Sequence, residues 1–273
     1  MARRLEGSRV LVTGASGGIG AALARGFAEA GARVALAARR ADRLEEVLAS
    51  LPGGAERHRA FPVDLADLDA TERLASDVVG AFGGLEVLVN NAGIPKRRWA
   101  WEHRPDETAT VLRVNVESPI RLTTTLLPVL GADGGGAVVF IGSVAARLAP
   151  PAEAVYAASK AAITAYAECL RVDLGVAGRP VDVHVVQPGV VDTDLFSHPD
   201  NDPPISDVEP VPVVEMVEPV VRLVSEGGPV ETFVPTWFAD LPPVKAADPA
   251  GFLQGAVEYT ISRLGDLGRE RPS

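Results

Sequence analysis

Short apolar runs alternate with longer helical stretches along this chain, and that alternation limits the fold more than any other feature. Residues 10–13, 34–38, 59–63, 86–89, 137–141 and 181–186 read as strands. Each is apolar on both faces and bounded by Gly, Asp or Pro, as expected of strands buried in a parallel sheet. Helical stretches fill the gaps at 18–30, 41–51, 68–82, 106–130 and 154–177. Strand–helix alternation of this kind predicts an α/β fold, a doubly wound parallel β-sheet flanked by helices on both faces. The 273 residues fit one such domain, which often runs to about 250 residues. No short-period repeat and no domain linker interrupts the chain before residue 195. After it, residues 197–212 are rich in Pro and Asp and read as a loop, and 213–225 as a helix started or kinked by Pro219. Residues 230–234 read as a seventh strand, 235–243 as an apolar loop carrying Trp237 and Phe238, and 252–264 as a last helix.

Composition excludes several classes of function. Aromatic residues are only 5% of a chain that is 47% hydrophobic, so Ala, Val and Leu must fill the core. A net charge of -10 argues against nucleic acid as the main partner. Arginine is nonetheless concentrated early, at Arg33, Arg39, Arg40 and Arg43, which leaves room for an anion site there. The one cysteine, Cys169, allows no intramolecular disulfide, which suits a reducing compartment, and it reads as buried packing. No run approaches the ~18 apolar residues of a membrane span, and residues 1–9 lead into glycines rather than a signal-peptide core. A cytoplasmic location is expected. His58, His103, His184 and His198 have no metal-ligand spacing, so no metal is expected, and His184 reads as core.

Thr13-Gly14-Ala15-Ser16-Gly17-Gly18-Ile19-Gly20 lies between the first strand and the first helix. Glycines there let the backbone turn sharply and approach a pyrophosphate, which the free N–H groups and positive end of the helix bind. Taken alone, the cluster is equally an ordinary tight turn. Other polar groups recur at strand ends: Asn90-Asn91-Ala92-Gly93 after the fourth, Ser143 after the fifth, and Pro188-Gly189-Val190-Val191-Asp192-Thr193 after the sixth. Asn115 sits in a long helix, and Tyr156-Ala157-Ala158-Ser159-Lys160 begins 13 residues after Ser143.

In this order and spacing the motifs resemble the short-chain dehydrogenase/reductase family, single-domain type, over about residues 7–195. The tail of 195–273 matches less closely and lacks the Asp-Gly-Gly ending of many members. The resemblance implies a single Rossmann-type domain of about seven strands, with residues 7–195 as cofactor and catalytic core. The tail would then supply a substrate lid, a last strand and a C-terminal helix. It further implies a nicotinamide cofactor held by Gly14, Ser16, Gly17, Gly18, Ile19, Gly20, Asn91, Ala92, Gly93, Pro188, Gly189, Val191 and Thr193. Asp64 and Leu65, after the third strand, resemble the pair that contacts adenine. Members of the family form dimers or tetramers through helices corresponding to 106–130 and 154–177, so a homodimer or homotetramer is expected.

The second strand ends Leu36-Ala37-Ala38-Arg39-Arg40. An acidic residue at such an end selects NAD, whereas Arg accommodates the 2′-phosphate of NADP. Ala38 stands where the acid is expected and Arg39 follows it, so NADP(H) is expected over NAD(H). The alternative is that Arg39 and Arg40 form a solvated helix start. Gly17 stands where some NADP-using relatives carry a basic residue.

Tyr156 and Lys160 are four residues apart, neighbours on one helix face. Free Tyr, with a pKa of about 10, is a poor proton carrier near neutrality, and a nearby ammonium favours the phenolate. The resemblance makes Tyr156 the proton donor or acceptor. It gives Lys160 the ribose as well as this electrostatic role, Ser143 the substrate oxygen, and Asn115 a water in a proton relay. Taken singly, Tyr156 with Lys160 is a common surface pair, Ser143 a turn residue and Asn115 a locally bonded helix residue.

No motif covers the segments expected to meet substrate, 94–103 with Trp99 and Trp101, 144–153, and a mobile lid at 195–212. Their Trp, Leu and Pro content favours an apolar carbonyl or alcohol substrate. Two rivals remain at this level: a catalytically silent dinucleotide-binding regulator, and an interaction or membrane-surface protein acting through the tail at 235–243.

Overall fold

The computed structural model describes residues 3–132, 134–197 and 200–272, so His198 lies outside the described residues. Seven strands form one sheet: β1 (Arg9–Thr13), β2 (Arg33–Ala38), β3 (Arg59–Pro62), β4 (Val87–Asn90), β5 (Gly136–Ile141), β6 (Val181–Pro188) and β7 (Glu231–Val234). Their order is β3-β2-β1-β4-β5-β6-β7, and every pairing is parallel. Between them run α1 (Gly18–Glu29), α2 (Ala41–Ser50), α3 (Gly54–Arg57), α4 (Leu68–Phe82), α5 (Pro105–Leu112), α6 (Ser118–Leu126), α7 (Ala145–Leu148) and α8 (Ala154–Val176). The tail adds α9 (Val217–Glu226), α10 (Leu241–Ala247) and α11 (Pro249–Asp266). This is the expected doubly wound Rossmann-type fold.

The continuous apolar strands are explained by burial on both faces. Val10, Val12, Val34 and Leu36 join one core layer with Leu23 and Phe27 of α1, Leu44 of α2 and Val220 of α9. Leu11, Ala35 and Ala37 point the other way, into a layer with Val78 of α4, Leu122 of α6 and Ile163 of α8. Alternate residues of one strand thus serve two cores. His184 is core, as expected, with its Nδ1 2.8 Å from the Pro229 carbonyl oxygen.

Three expectations need correction. The helix read as continuous over 106–130 is split into α5 and α6 by a π-helical turn, Arg113–Glu117. The Ser118 N–H donates to the Arg113 carbonyl, five residues back, and Pro119 has no N–H to offer the Asn115 carbonyl, four back. The segment read as an apolar loop at 235–243 is a 3-10 turn (Thr236–Asp240) running into α10. Pro242 and Pro243 fall in the first turn of α10, where a missing N–H costs no helical bond. Cys169 is exposed, not buried. The reason is helix phase: α8 turns Ile163, Ala167, Leu170 and Leu174 to the sheet, and Cys169 faces outward. Pro219 falls in the first turn of α9, where its missing N–H costs no helical bond, in keeping with a proline that starts the helix. A 3-10 turn (Val213–Met216) leads into α9, whose third residue is Pro219.

Candidate active site

β1 and β4 are neighbours whose chains leave toward opposite sides of the sheet, which opens a crevice at their carboxyl ends. The glycine turn fills one wall of it. Gly14 has φ +68°, and a Cβ there would stand 2.8 Å from Asn91 Nδ2 and 2.9 Å from Ala92 Cα. A Cβ on Gly20 would collide with the Gly14 carbonyl oxygen. Only glycine lets the turn, the start of α1 and the Asn91-Ala92 segment come this close. Thr13 ties them together: its Oγ1 accepts the N–H groups of Asn91 and Ala92, both at 3.0 Å. Asn91 Nδ2 donates back to the Thr13 carbonyl at 2.9 Å. No side chain among the described residues caps α1, so its first N–H groups face the crevice. This cradle fits a pyrophosphate. The Thr193 methyl lies 3.3 Å from the position of a Gly18 Cβ, which brings the strip after β6 over the same turn. Arg40 reaches across it, its guanidinium 3.2 Å from Ser16 Oγ.

Beyond the cradle lie the polar residues of the catalytic expectation, all buried. Tyr156 and Lys160 come from successive turns of α8, with Lys160 Nζ 5.7 Å from the Tyr156 ring centre. The Tyr156 hydroxyl is hydrogen-bonded to the Ser143 side chain. Lys160 Nζ donates to the Ile141 carbonyl at 2.8 Å. Asn115 sits in the π turn; its Oδ1 accepts the Ile94 N–H at 2.7 Å, and its Nδ2 donates to the Ile94 carbonyl and to Ser159 Oγ, each at 3.0 Å. Ser159 Oγ donates in turn to the Tyr156 carbonyl at 2.7 Å. Gly93 lies beside Lys160 and Asn115, which joins the cradle to this group.

Burial sets the charges here. It pushes the Tyr156 hydroxyl above its ordinary value, the nearby Glu153 carboxyl pushes the same way, and the Ser143 hydrogen bond opposes both. Within the chain itself, then, Tyr156 is not lowered as expected. Burial takes the Lys160 amine down to about 8. Glu153 is raised by burial, against the pull of Arg97, whose Nε stands 3.2 Å from its carboxylate.

The segments without motifs are held by charge as much as by apolar contact. Lys96 Nζ lies 2.8 Å from Glu107 and 2.6 Å from Asp200. Arg98 pairs with the same two acids, and the Arg97 N–H donates to Asn201 Oδ1 at 2.9 Å. Asp207 is bound from the other side by the Tyr259 hydroxyl and by Arg263 of α11. Residues 200–207, part of the stretch expected to be a lid, thus contact 96–98 on one side and α11 on the other. Trp99 packs on Ala152, Ile205 and Leu264 and stacks on Trp101 at 5.6 Å. The tail aromatics are split: Phe238 is buried against Gly189, and Trp237 stacks on it, half exposed.

The structure therefore brings Ser143, Tyr156, Lys160 and Asn115 together, and gathers Gly14 to Gly20, Asn91 to Gly93 and Thr193 around one crevice. Pro188 and Gly189 close β6 beside β7, and Val191 bridges to Val211. Arg39 is exposed, with no contact to the glycine turn among the described residues; Arg40 makes it instead. Leu65 is buried in the core, and the Asp64 carboxylate accepts the Ala66 N–H at 2.9 Å. Sequence reasoning missed Thr13, Ser159, Glu153 and Gln187. Thr13 and Ser159 lie inside quoted motifs, so their positions were the available signal; Glu153 and Gln187 had none.

A phosphate cradle at the switch point of a doubly wound sheet, beside a buried Ser–Tyr–Lys group, defines a Rossmann-type dinucleotide-binding protein. The chain matches the short chain dehydrogenase family model over residues 8–203, and it belongs to that family. It is similar to dehydrogenase/reductase SDR family member 7B of Bos taurus, 38% identical over 68% of this chain and 58% of that protein. It thus spans less than two thirds of that relative's length. It is also similar to D-threitol dehydrogenase of Mycolicibacterium smegmatis, 35% identical over 70% of this chain and 73% of that one. Among solved structures, a short chain dehydrogenase from Burkholderia cenocepacia in complex with NADP has a TM-score of 0.74 at 35% identity, covering 83% of this chain and 94% of its own. A 3-ketoacyl-(acyl-carrier-protein) reductase from Brucella melitensis complexed with NADH has a TM-score of 0.73 at 26% identity, covering 81% and 92%. No helix among the described residues is long and apolar enough to cross a membrane.

Proposed function

We propose that this chain is an NADP(H)-dependent oxidoreductase acting on a carbonyl or secondary alcohol carbon of an apolar small molecule. The observation that carries the reading is the buried Tyr156–Ser143 hydrogen bond, one helical turn from Lys160, at the mouth of the glycine cradle. The nicotinamide, when bound, supplies or accepts the hydride. In reduction, Tyr156 Oη gives its proton to the substrate oxygen, and in oxidation it takes one. Ser143 Oγ donates a hydrogen bond to that oxygen, the place where negative charge develops. Lys160 offsets burial and Glu153 with its positive charge, favouring the phenolate when Tyr156 loses its proton. Asn115 keeps the Ile94 backbone and α8 in register. Its carbonyl, which Pro119 cannot satisfy, is the acceptor for a relay water leading to Lys160.

The apolar character of the substrate is supported by a cavity of about 300 Å³ whose lining is apolar, with Val190, Val211, Pro235, Trp237 and Phe238, apart from Glu209. It adjoins Gly189, in the strip after β6. NADP(H) is supported by Arg40, whose guanidinium lies over Ser16 in the glycine turn. A panel of ketones, aldehydes and alcohols, followed by nicotinamide absorbance with both cofactors, tests the activity. Turnover of none of them would count against it. Losing a charge-assisted phosphate contact costs about 1.5–3 kcal/mol, so NADPH should bind roughly 10- to 150-fold more tightly than NADH. Arg40→Ala should erase most of that margin in fluorescence titrations, and an unchanged margin would rule Arg40 out.

A further inference from the structure

The last polar residue of β6, Gln187, is fully buried, and every group of its amide is engaged. Its Oε1 accepts the Ser143 N–H at 2.7 Å. Its Nε2 donates to Thr164 Oγ1 at 3.0 Å and to Glu231 Oε1 of β7 at 2.8 Å. The orientation of this amide is forced: a backbone N–H requires the oxygen, and a carboxylate requires the nitrogen. Thr164 Oγ1 passes the chain on, donating at 2.8 Å to the Lys160 carbonyl. Glu231 is itself fixed by Arg147, whose Nε is 2.9 Å away and whose guanidinium also meets Glu168 of α8 at 2.7 Å. One amide thus links the residue after β5 that carries Ser143 to the helix that carries Tyr156 and Lys160. Gly142 makes room for it, since a Cβ there would overlap Gln187 Oε1.

We propose that Gln187 is a positioning residue: oriented by Glu231, it holds the Ser143 backbone in register with the Tyr156–Lys160 helix, so that the Ser143 and Tyr156 hydroxyls converge on one oxygen. The proposal rests on the oxidoreductase reading. The main chain on either side of Ser143 is held to β6 by the Gly142 and Val144 N–H groups, which donate to the Val186 and Pro188 carbonyls at 2.7 and 2.9 Å. Gln187 takes the N–H between them, the one that belongs to Ser143 itself, and small displacements of reacting groups cost rate steeply. The bridge touches neither the glycine cradle nor Arg40, although it ends at the Lys160 carbonyl and adjoins Pro188, so its loss should act on kcat more than on cofactor affinity.

The test uses the full chain and four variants: Gln187→Leu, Gln187→Glu, the double variant Gln187→Glu/Glu231→Gln, and Tyr156→Phe as a reference. Gln187→Leu keeps the volume and removes the three amide bonds; kcat should fall about 10- to 100-fold, with NADPH affinity changed much less than kcat. Gln187→Glu sets two carboxylates face to face and should lose at least as much. The double variant reverses the donor and acceptor between positions 187 and 231, keeps the charge and should recover kcat to within about threefold of the wild type, a recovery that mere packing at 187 would not give. Hydrogen exchange at the Ser143 N–H gives a readout independent of activity: protected in the wild type, exposed in Gln187→Leu, protected again in the double variant. Unchanged kcat in a folded Gln187→Leu, or a double variant no better than Gln187→Glu, overturns the proposal. Should Gln187→Leu fail to fold, the comparison of the single and double charge variants decides alone. If Tyr156→Phe turns over as fast as the wild type, it is the oxidoreductase reading that has failed, and the exchange pattern still reports whether the bridge exists.

Discussion

At the scale of single residues, the site is a contest over one proton. Tyr156 is pushed toward its neutral form by burial and by Glu153, while Ser143 pulls the other way. Glu153 belongs to no motif, yet it begins the turn that carries Tyr156 and shares its burial with Arg97. Replacing it with Gln removes a negative charge that disfavours phenolate and leaves the Arg97 charge less neutralised. Both effects lower the Tyr156 pKa. The rising alkaline limb of alcohol oxidation should therefore move to lower pH in Glu153→Gln, by about one unit or more if the carboxylate matters as a near neighbour. A pH–rate profile of oxidation by wild type and variant checks this, and an unmoved or upward-shifted limb would remove Glu153 from the electrostatic account.

At the scale of elements, β1, β2, β4, β5 and β6 were legible because they are buried on two faces and so lack the polar alternation of an exposed strand, whereas the edge strands β3 and β7 are only partly covered and were marked by the turn residues around them. β1 to β7 all fall within two residues of the runs read from sequence. The residues expected to be catalytic were easy to pick out because they lie at strand ends and on one helix turn, where spacing is local. What was illegible depended on distant partners. The π turn around Asn115 depends on a proline four residues further on, and the contacts that hold Asp200 depend on Lys96 and Arg98, about a hundred residues earlier. Gln187 gains its meaning from Glu231, 44 residues away. Arg40 rather than Arg39 meets the glycine turn because one side chain at the strand exit folds back over it, a matter of direction that spacing does not encode. The glycine turn itself gives the sharpest test at this scale. Gly20→Ala would press a methyl onto the Gly14 carbonyl. It should destabilise the fold by about 1–3 kcal/mol and weaken NADPH binding at least tenfold, read by thermal melting and titration. Normal binding in a folded Gly20→Ala would deny the turn its role as the cradle.

At the scale of the whole molecule, the two layers differ in how they finish. The α1–α2–α9 side and the sheet close over each other, whereas α8 leaves Val172, Val176 and Cys169 exposed on its outer face. An apolar strip on the helix that also carries Tyr156 and Lys160 is expected to meet its own copy across a two-fold axis. Light scattering at micromolar concentration should give a dimer or tetramer mass, and Val172→Lys with Val176→Lys should reduce it. A monomeric wild type would contradict this expectation without touching the site. The tail has a comparable logic: Phe238 is packed against Gly189 and Leu264 of α11 against Ile205 and Trp99, while Trp237 and Tyr259 stay partly exposed.

The account as a whole depends on the Tyr156 hydroxyl. Tyr156→Phe removes one oxygen and keeps the ring that fills this buried position. The most direct measurement is the single-turnover rate of hydride transfer from NADPH to a proven carbonyl substrate, taken with wild type and Tyr156→Phe at matched cofactor saturation. General acid–base catalysis contributes about 10²–10⁴-fold, so the rate should fall by at least that range's lower end while NADPH affinity is preserved. A Tyr156→Phe enzyme that transfers hydride at the wild-type rate would contradict the central claim.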